Sequence, residues 1–317
     1  MIDKNKRILI TWATGFIWSN ILRRLVSEWF TDIHIFSRKD SNYFRINDIR
    51  DKINIHTVDF LDEIEVNTTI KKIQPKIIFH LATAWAAVWK DPITIKELYN
   101  FNVLWTINLI NACKKYGFDY FINTGSSSEY GQKNEPMHEK DILEPNNDYW
   151  VTKASTSLYC SYIGKKEQLP IYTFRLFSPY GYYEEKRRLI PTLLLNYIEW
   201  VSPNLSSPNS VRDYTFIDDV VNYYLNIDKI VWDFGWIYNI ANGKQYSIGQ
   251  IVEIVKNIAH SEKEPIYGIV SIKQNEPKYW LAENKKTIST FWLPETPIEI
   301  WLQKSFEWFK RNKYLYN

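Results

Sequence analysis

Apolar positions in the first half of the chain come in two alternating kinds. Short β-branched runs at Arg7–Ile10, Ile33–Phe36, Ile53–Val58, Lys76–Leu81, Tyr120–Asn123 and Ile171–Phe177 are separated by longer stretches whose apolar residues recur at helical spacing. The pattern predicts six strands, with helices over 16–29, 62–73, 93–116 and 148–168. Strand–helix–strand repetition makes the strands parallel, and the right-handed crossover rule folds them into one doubly wound α/β sheet. Ile77, Ile78 and Phe79 are apolar without alternation, as in a central strand covered by helices on both faces.

Beyond Phe177 the pattern loosens. The expected elements are a helix over 186–200, a Ser/Pro-rich stretch at 202–209, strands near Tyr214–Ile217 and at Ile237–Ile240, and helices from Asp218, over 247–260 and over 297–311. This predicts a sheet domain over 1–177 with a returning segment at 211–241. A smaller α+β domain is expected from 178–210 and 242–317.

Length narrows the picture to about two domains. The 39 basic and 36 acidic residues give a net charge of +3 and are mixed along the chain, which leaves no electrostatic footprint for nucleic acid. Cys113 and Cys160 are too few for a disulfide scaffold or a zinc cage, and no Cys/His cluster has metal spacing, so no metal is expected. His80, on a buried strand, reads as a core residue. The start lacks a secretory pattern, and the most apolar stretch, Ile77–Trp89, is interrupted by His80 and too short to span a bilayer. A cytoplasmic protein with no membrane partner is expected.

Between the first strand and the first helix lies Thr11-Trp12-Ala13-Thr14-Gly15-Phe16-Ile17-Trp18-Ser19-Asn20. A loop in this place turns free backbone N–H groups and a helix dipole toward a pyrophosphate, and glycines there let the chain approach closely. Further blocks follow in order: His80-Leu81-Ala82, Asn102-Val103, Ser126 to Gly131 (SSSEYG), Tyr149-Trp150-Val151-Thr152-Lys153, Arg175 to Gly181 (RLFSPYG) and Arg212 to Asp219 (RDYTFIDD). Together they resemble the extended short-chain dehydrogenase/reductase family of nucleotide-sugar epimerases, dehydratases and reductases, whose loop reads TGxxGxxG, along nearly the whole chain. The resemblance implies a Rossmann fold, a bound nicotinamide dinucleotide, a nucleotide-sugar substrate and, as in many members, a homodimer.

Tyr149 and Lys153 are spaced i, i+4, so both side chains face the same way on a helix. A neighbouring ammonium stabilises a phenolate, giving a group able to take and return a carbinol proton. Tyr162 with Lys166 and Tyr182 with Lys186 share that spacing; the surrounding block and the position one strand–helix step after Ser126 single out Tyr149. The resemblance implies that Ser126 hydrogen-bonds the reacting oxygen, that Arg212 clamps the diphosphate, and that Asn102 and Ser127 line the substrate pocket. On the cofactor side it implies Trp12, Gly15, Phe16, Ile17, Ser37, Arg38, Asp59, Phe60, Leu81, Ala82 and Ser178, with Tyr149 and Lys153. An acid at the end of the second strand would suit NAD; Ser37-Arg38-Lys39 suits the 2′-phosphate of NADP, with NAD the second choice.

Family dehydratases carry an acid where this chain has Ser127 and Ser128, and Glu129 comes one position late, which disfavours 4,6-dehydration. Hydride transfer at sugar C4 remains, as 4-keto reduction or 4-epimerisation. Other readings are a non-catalytic dinucleotide-binding regulator and a reductase of small carbonyls. The tally of 14 Trp against 10 Gly is inverted from ordinary usage. Trp12, Trp18, Trp29, Trp105, Trp150, Trp200, Trp236 and Trp301 stand where the family commonly has glycine, as if UGA codons meaning glycine had been read as tryptophan. Trp308 reads as a true tryptophan.

Overall fold

A computed structural model describes residues 2–12, 14–81, 94–231, 233–270, 279–292 and 296–316. The apolar runs become strands β1 (Ile8–Thr11), β2 (Ile33–Ser37), β3 (Asn54–Thr57), β4 (Ile77–His80), β5 (Tyr120–Ser126) and β6 (Ile171–Leu176), joined by a seventh strand at Ile237–Ile240. All seven pair in parallel, and from one edge the order is Ile237–Ile240, β6, β5, β4, β1, β2, β3. Chain order reverses between β1 and β4, so the carboxyl ends of these strands open the crevice where such sheets take ligands.

Alternation along β1 separates two apolar layers. Ile8 and Ile10 pack with helices α1 (Phe16–Ser27) and α7 (Ile217–Leu225), while Leu9 packs with α2 (Glu63–Ile73), α4 (Trp105–Lys114) and α5 (Asp148–Glu167). Cys113 and Cys160 are free thiols buried in the second layer. Beyond β6, helices α6 (Leu189–Ile198), α8 (Ile248–Ala259) and α10 (Ile298–Asn312) pack on one another. No described helix is long and apolar enough to cross a membrane.

Three features depart from the predicted elements. The helix expected over 93–116 is broken into α3 (Ile95–Tyr99), a π-turn at Asn100–Leu104 and α4, the turn closing when the Trp105 N–H reaches the Asn100 carbonyl. Helix α9 (Lys285–Phe291) carries too short an apolar repeat to announce itself. Thr215–Phe216 is the strand expected near Tyr214–Ile217, but its partner Pro179–Tyr180 and the pairs Val211–Asp213 with Gln245–Ser247 and Asn204–Leu205 with Ile266–Tyr267 were not expected, since strands of two or three residues have no readable period.

Candidate functional site

The Ser-rich block bends sharply at the carboxyl end of β5. Ser126 closes the strand and caps a 3-10 turn at Ser127–Tyr130: its hydroxyl accepts the Ser128 N–H at 3.2 Å, and the Glu129 carboxylate accepts the Ser126 N–H at 2.8 Å. The other Glu129 oxygen accepts from Arg175 Nε on β6 at 2.8 Å, and both side chains are buried. Gly125 makes room for this carboxylate, since a Cβ there would stand 2.6 Å from Glu129 Oε1.

Helix α5 starts beside that turn. Asn147 caps it by accepting the Trp150 N–H at 2.9 Å, which puts Tyr149 in the first turn, half-buried, and Lys153 one turn further on. The buried Lys153 ammonium donates to the Thr124 carbonyl on β5 at 2.6 Å. Burial lowers the Lys153 pKa, and the charge of Glu129 acts against that shift. Lys153 is thereby held two residues upstream of Ser126, and α5 is pinned to the end of β5. Asn102, buried in the π-turn, donates to Thr152 Oγ1 at 2.8 Å and so braces the same helix.

Next to Ser126, Ser127 Oγ accepts the indole N–H of Trp280 at 3.1 Å. The Arg212 guanidinium lies 5.4 Å over the Trp280 ring, and the Trp150 ring is 6.3 Å away. Trp280 escaped the sequence reading because one tryptophan among 14 carries no signal. Arg212 and Ser178 share a cavity of about 370 Å³ with Arg187, Arg188 and Glu184. Burial pushes the Glu184 pKa up to about 7. The acids adjoining Arg212 in sequence are engaged elsewhere: Asp213 accepts the N–H groups of Asn242, Gly243 and Ala282, and Asp218 lies 3.9 Å from Arg24. A larger hollow of about 510 Å³ lies against α6, α8 and α10, away from these groups.

At the β1 end, His80 is a satisfied core residue. Thr106 gives its hydroxyl proton to the Asn102 carbonyl, so His80 Nε2 donates to Thr106 at 2.8 Å and Nδ1 accepts from Thr11 at 3.1 Å. Thr11 Oγ1 in turn accepts the Leu81 N–H at 3.0 Å. Burial drives the His80 pKa down to about 3.

Most of this edge fits a dinucleotide. Helix α1 starts without a side-chain cap, and its N-cap Gly15 faces open space: a Cβ there would meet only the Trp12 carbonyl, at 4.0 Å. Phe16 and Ile17 open the helix and pack against the core. Ser37 ends β2 and accepts from the Tyr43 hydroxyl at 2.7 Å; the exposed Asp59 caps the Leu61 N–H at 3.0 Å; Phe60 is buried against Trp105 with ring centres 4.9 Å apart. Ala82 lies outside the described residues. One residue does not fit. The Trp12 indole has Arg38 4.6 Å over its ring and Phe60 at 6.2 Å, so it touches the very groups expected to border the adenosine.

Among the described residues, His138, Glu139 and Glu283 bring three ligand-type atoms within 4.8 Å of one another. His138 Nδ1 accepts the Lys140 N–H at 3.1 Å, so Nε2 carries the ring proton toward the carboxylates instead of a lone pair toward a cation.

The sequence profile of the NAD dependent epimerase/dehydratase family matches residues 8–241. CDP-abequose synthase of Salmonella muenchen is 25% identical over 281 residues, covering 87% of this chain and 88% of that protein. The trifunctional UDP-glucose 4,6-dehydratase/UDP-4-keto-6-deoxy-D-glucose 3,5-epimerase/UDP-4-keto-L-rhamnose-reductase of Arabidopsis thaliana is 27% identical over 319 residues; 97% of this chain spans 47% of that protein. Among solved structures, dTDP-glucose 4,6-dehydratase of Bacillus anthracis in complex with NAD superposes with a TM-score of 0.84 at 23% identity, covering 98% of each chain.

Proposed function

Because this chain belongs to the NAD dependent epimerase/dehydratase family, we propose that it is an NADP-dependent nucleotide-sugar oxidoreductase acting at sugar C4, as a 4-keto reductase or a 4-epimerase. The observation that supports this reading is the hydrogen bond from Lys153 to the Thr124 carbonyl, two residues before Ser126, with Tyr149 one turn earlier on the same helix.

The nicotinamide, when bound, supplies or accepts the hydride. The chain's own residues handle the proton. Tyr149 takes the C4 hydroxyl proton in the oxidising direction and returns it in the reducing one, with Lys153 favouring the phenolate and Ser126 holding the oxygen. Arg212 suits a diphosphate, since it lines the cavity that also holds Arg187 and Arg188. The substrate segment would be 178–210 with 242–317, set against the sheet domain over 1–177 and its returning segment at 211–241. Arg38 at the end of β2 supports NADP over NAD.

The 4,6-dehydratase reading lacks an acid to move a proton at C5. Ser127 is bonded to Trp280 and Ser128 to Ser126, and the next residue, Glu129, is buried in its ion pair with Arg175. A regulator without catalysis would have no need of Tyr149 and Lys153 together.

The test is to incubate the Trp12→Gly protein with NADPH and the 4-keto forms of CDP-, UDP-, GDP- and dTDP-hexoses, and separately with the parent nucleotide hexoses, following nicotinamide absorbance and products. Net oxidation identifies a reductase; interconversion of C4 epimers without net change in cofactor identifies an epimerase. Tight cofactor binding with no turnover on any nucleotide sugar would contradict the proposal.

A further inference from the structure

The backbone treats several tryptophans as if they had no side chain. Among the described residues nine that are not glycine have positive φ, and four of them are tryptophan: Trp12 (60°), Trp29 (67°), Trp200 (59°) and Trp292 (51°). Tryptophan makes up only 14 of 317 residues, so chance does not put it in nearly half of these positions. The left-handed region crowds a Cβ against the following carbonyl, and a bulky side chain gains nothing there to compensate.

The surrounding hydrogen bonds say what residue belongs. At the end of α1, the Phe30 N–H reaches the Leu25 carbonyl and the Trp29 N–H the Val26 carbonyl; at the end of α6, Val201 reaches Asn196 and Trp200 reaches Tyr197. Both are the helix-ending motif whose left-handed position is filled mainly by glycine. Trp292 ends α9 in the same conformation, its N–H on the Ile288 carbonyl. These three indoles are 82%, 62% and 80% exposed, so packing does not hold them there.

A second sign is independent of φ. Trp18 and Trp105 are fully buried, and their indole N–H groups have no hydrogen-bond partner among the described residues. Other tryptophans are properly housed: Trp280 donates to Ser127, Trp301 donates to Asp219 at 2.7 Å and stacks on Phe216, and Trp308 packs with Tyr182, Tyr183 and Tyr316. Trp301, which the family resemblance counts with the glycine positions, shows neither sign.

We propose that positions 12, 18, 29, 105, 200 and 292 are glycine in the native protein, encoded by UGA read as glycine, and that glycine at 12 opens the seat beside Arg38 and Phe60 which an indole otherwise fills. The second half rests on the reading of this edge as the dinucleotide site; the first does not. The consequence is that the chain with tryptophan at 12 blocks its own cofactor seat, and the native chain does not.

Peptide mass spectrometry of the protein isolated from its source tests the residues directly. Each of the six positions is expected to be lighter by the difference between an indolylmethyl group and hydrogen, while position 308 keeps the tryptophan mass. Tryptophan masses at these positions, or UGG codons in the gene, overturn the assignment. For the seat, NADP⁺ titration of the recombinant chain with Trp12 is compared with Trp12→Gly and with Trp29→Gly. Trp12→Gly is expected to bind at least tenfold tighter and Trp29→Gly to bind as the parent does; equal affinity of Trp12 and Trp12→Gly overturns the plug. Glycine masses in a native protein that binds neither dinucleotide would sink the cofactor reading while leaving the residue assignment in place.

Discussion

An exposed indole on a left-handed backbone is a local conflict that a single substitution relieves. Losing the Cβ there removes roughly 1–2 kcal/mol of strain, and the looser unfolded chain of a glycine gives back roughly 0.5–1 kcal/mol. Trp29→Gly and Trp200→Gly should therefore each stabilise the fold by roughly 0.5–1 kcal/mol in urea unfolding. A loss of stability at both would contradict the conflict. His80 gives a second residue-scale prediction. Its pKa falls from the ordinary imidazole range to about 3 on folding, so the native state excludes a proton that the unfolded chain binds. The stability this contributes is complete above about pH 6.5 and is lost as pH falls from there toward 3, with a slope of up to about 1.4 kcal/mol per pH unit. His80→Asn should flatten the profile of unfolding free energy across that window; an unchanged slope would mean that another group carries it.

Among the elements, β5, its 3-10 turn and α5 form the part of the site most legible in the sequence. The i, i+4 spacing of Tyr149 and Lys153 is local, and the helix expected over 148–168 begins at Asp148. The buried bridge from Glu129 to Arg175 was not legible, because it joins residues 46 apart that only the β5–β6 pairing brings together. Breaking that bridge from one side leaves a charge with no partner in the core. Arg175→Met should destabilise by about 3–5 kcal/mol, and the double variant Glu129→Gln with Arg175→Met should recover part of the loss. Equal stability of parent and Arg175→Met, measured by denaturant unfolding, would contradict this account of the turn. The π-turn before α4 also escaped the sequence, since apolar spacing over five residues does not distinguish it from α-helix.

At the scale of the whole molecule, the alternation of strands and helices was enough to give a parallel, doubly wound sheet, whose strands bury whole side-chain sets on each face. The region after β6 was less readable because its short strands pair with distant partners and its helices pack on one another instead of repeating a unit. The cavity that Arg212 shares with Ser178 depends on those long-range pairings, so its residues were open to inference only through the resemblance. What this architecture achieves is to bring a helix bearing a phenol and an ammonium against the strand end that carries Ser126. The most direct measurement of that claim is the rate of nucleotide-sugar turnover, read as NADPH oxidation with a 4-keto hexose or as C4 interconversion of a parent hexose, for the glycine-12 protein and for its Tyr149→Phe variant. The account predicts a fall of at least about two decades with cofactor binding retained. A variant that turns over at the parent rate would contradict it.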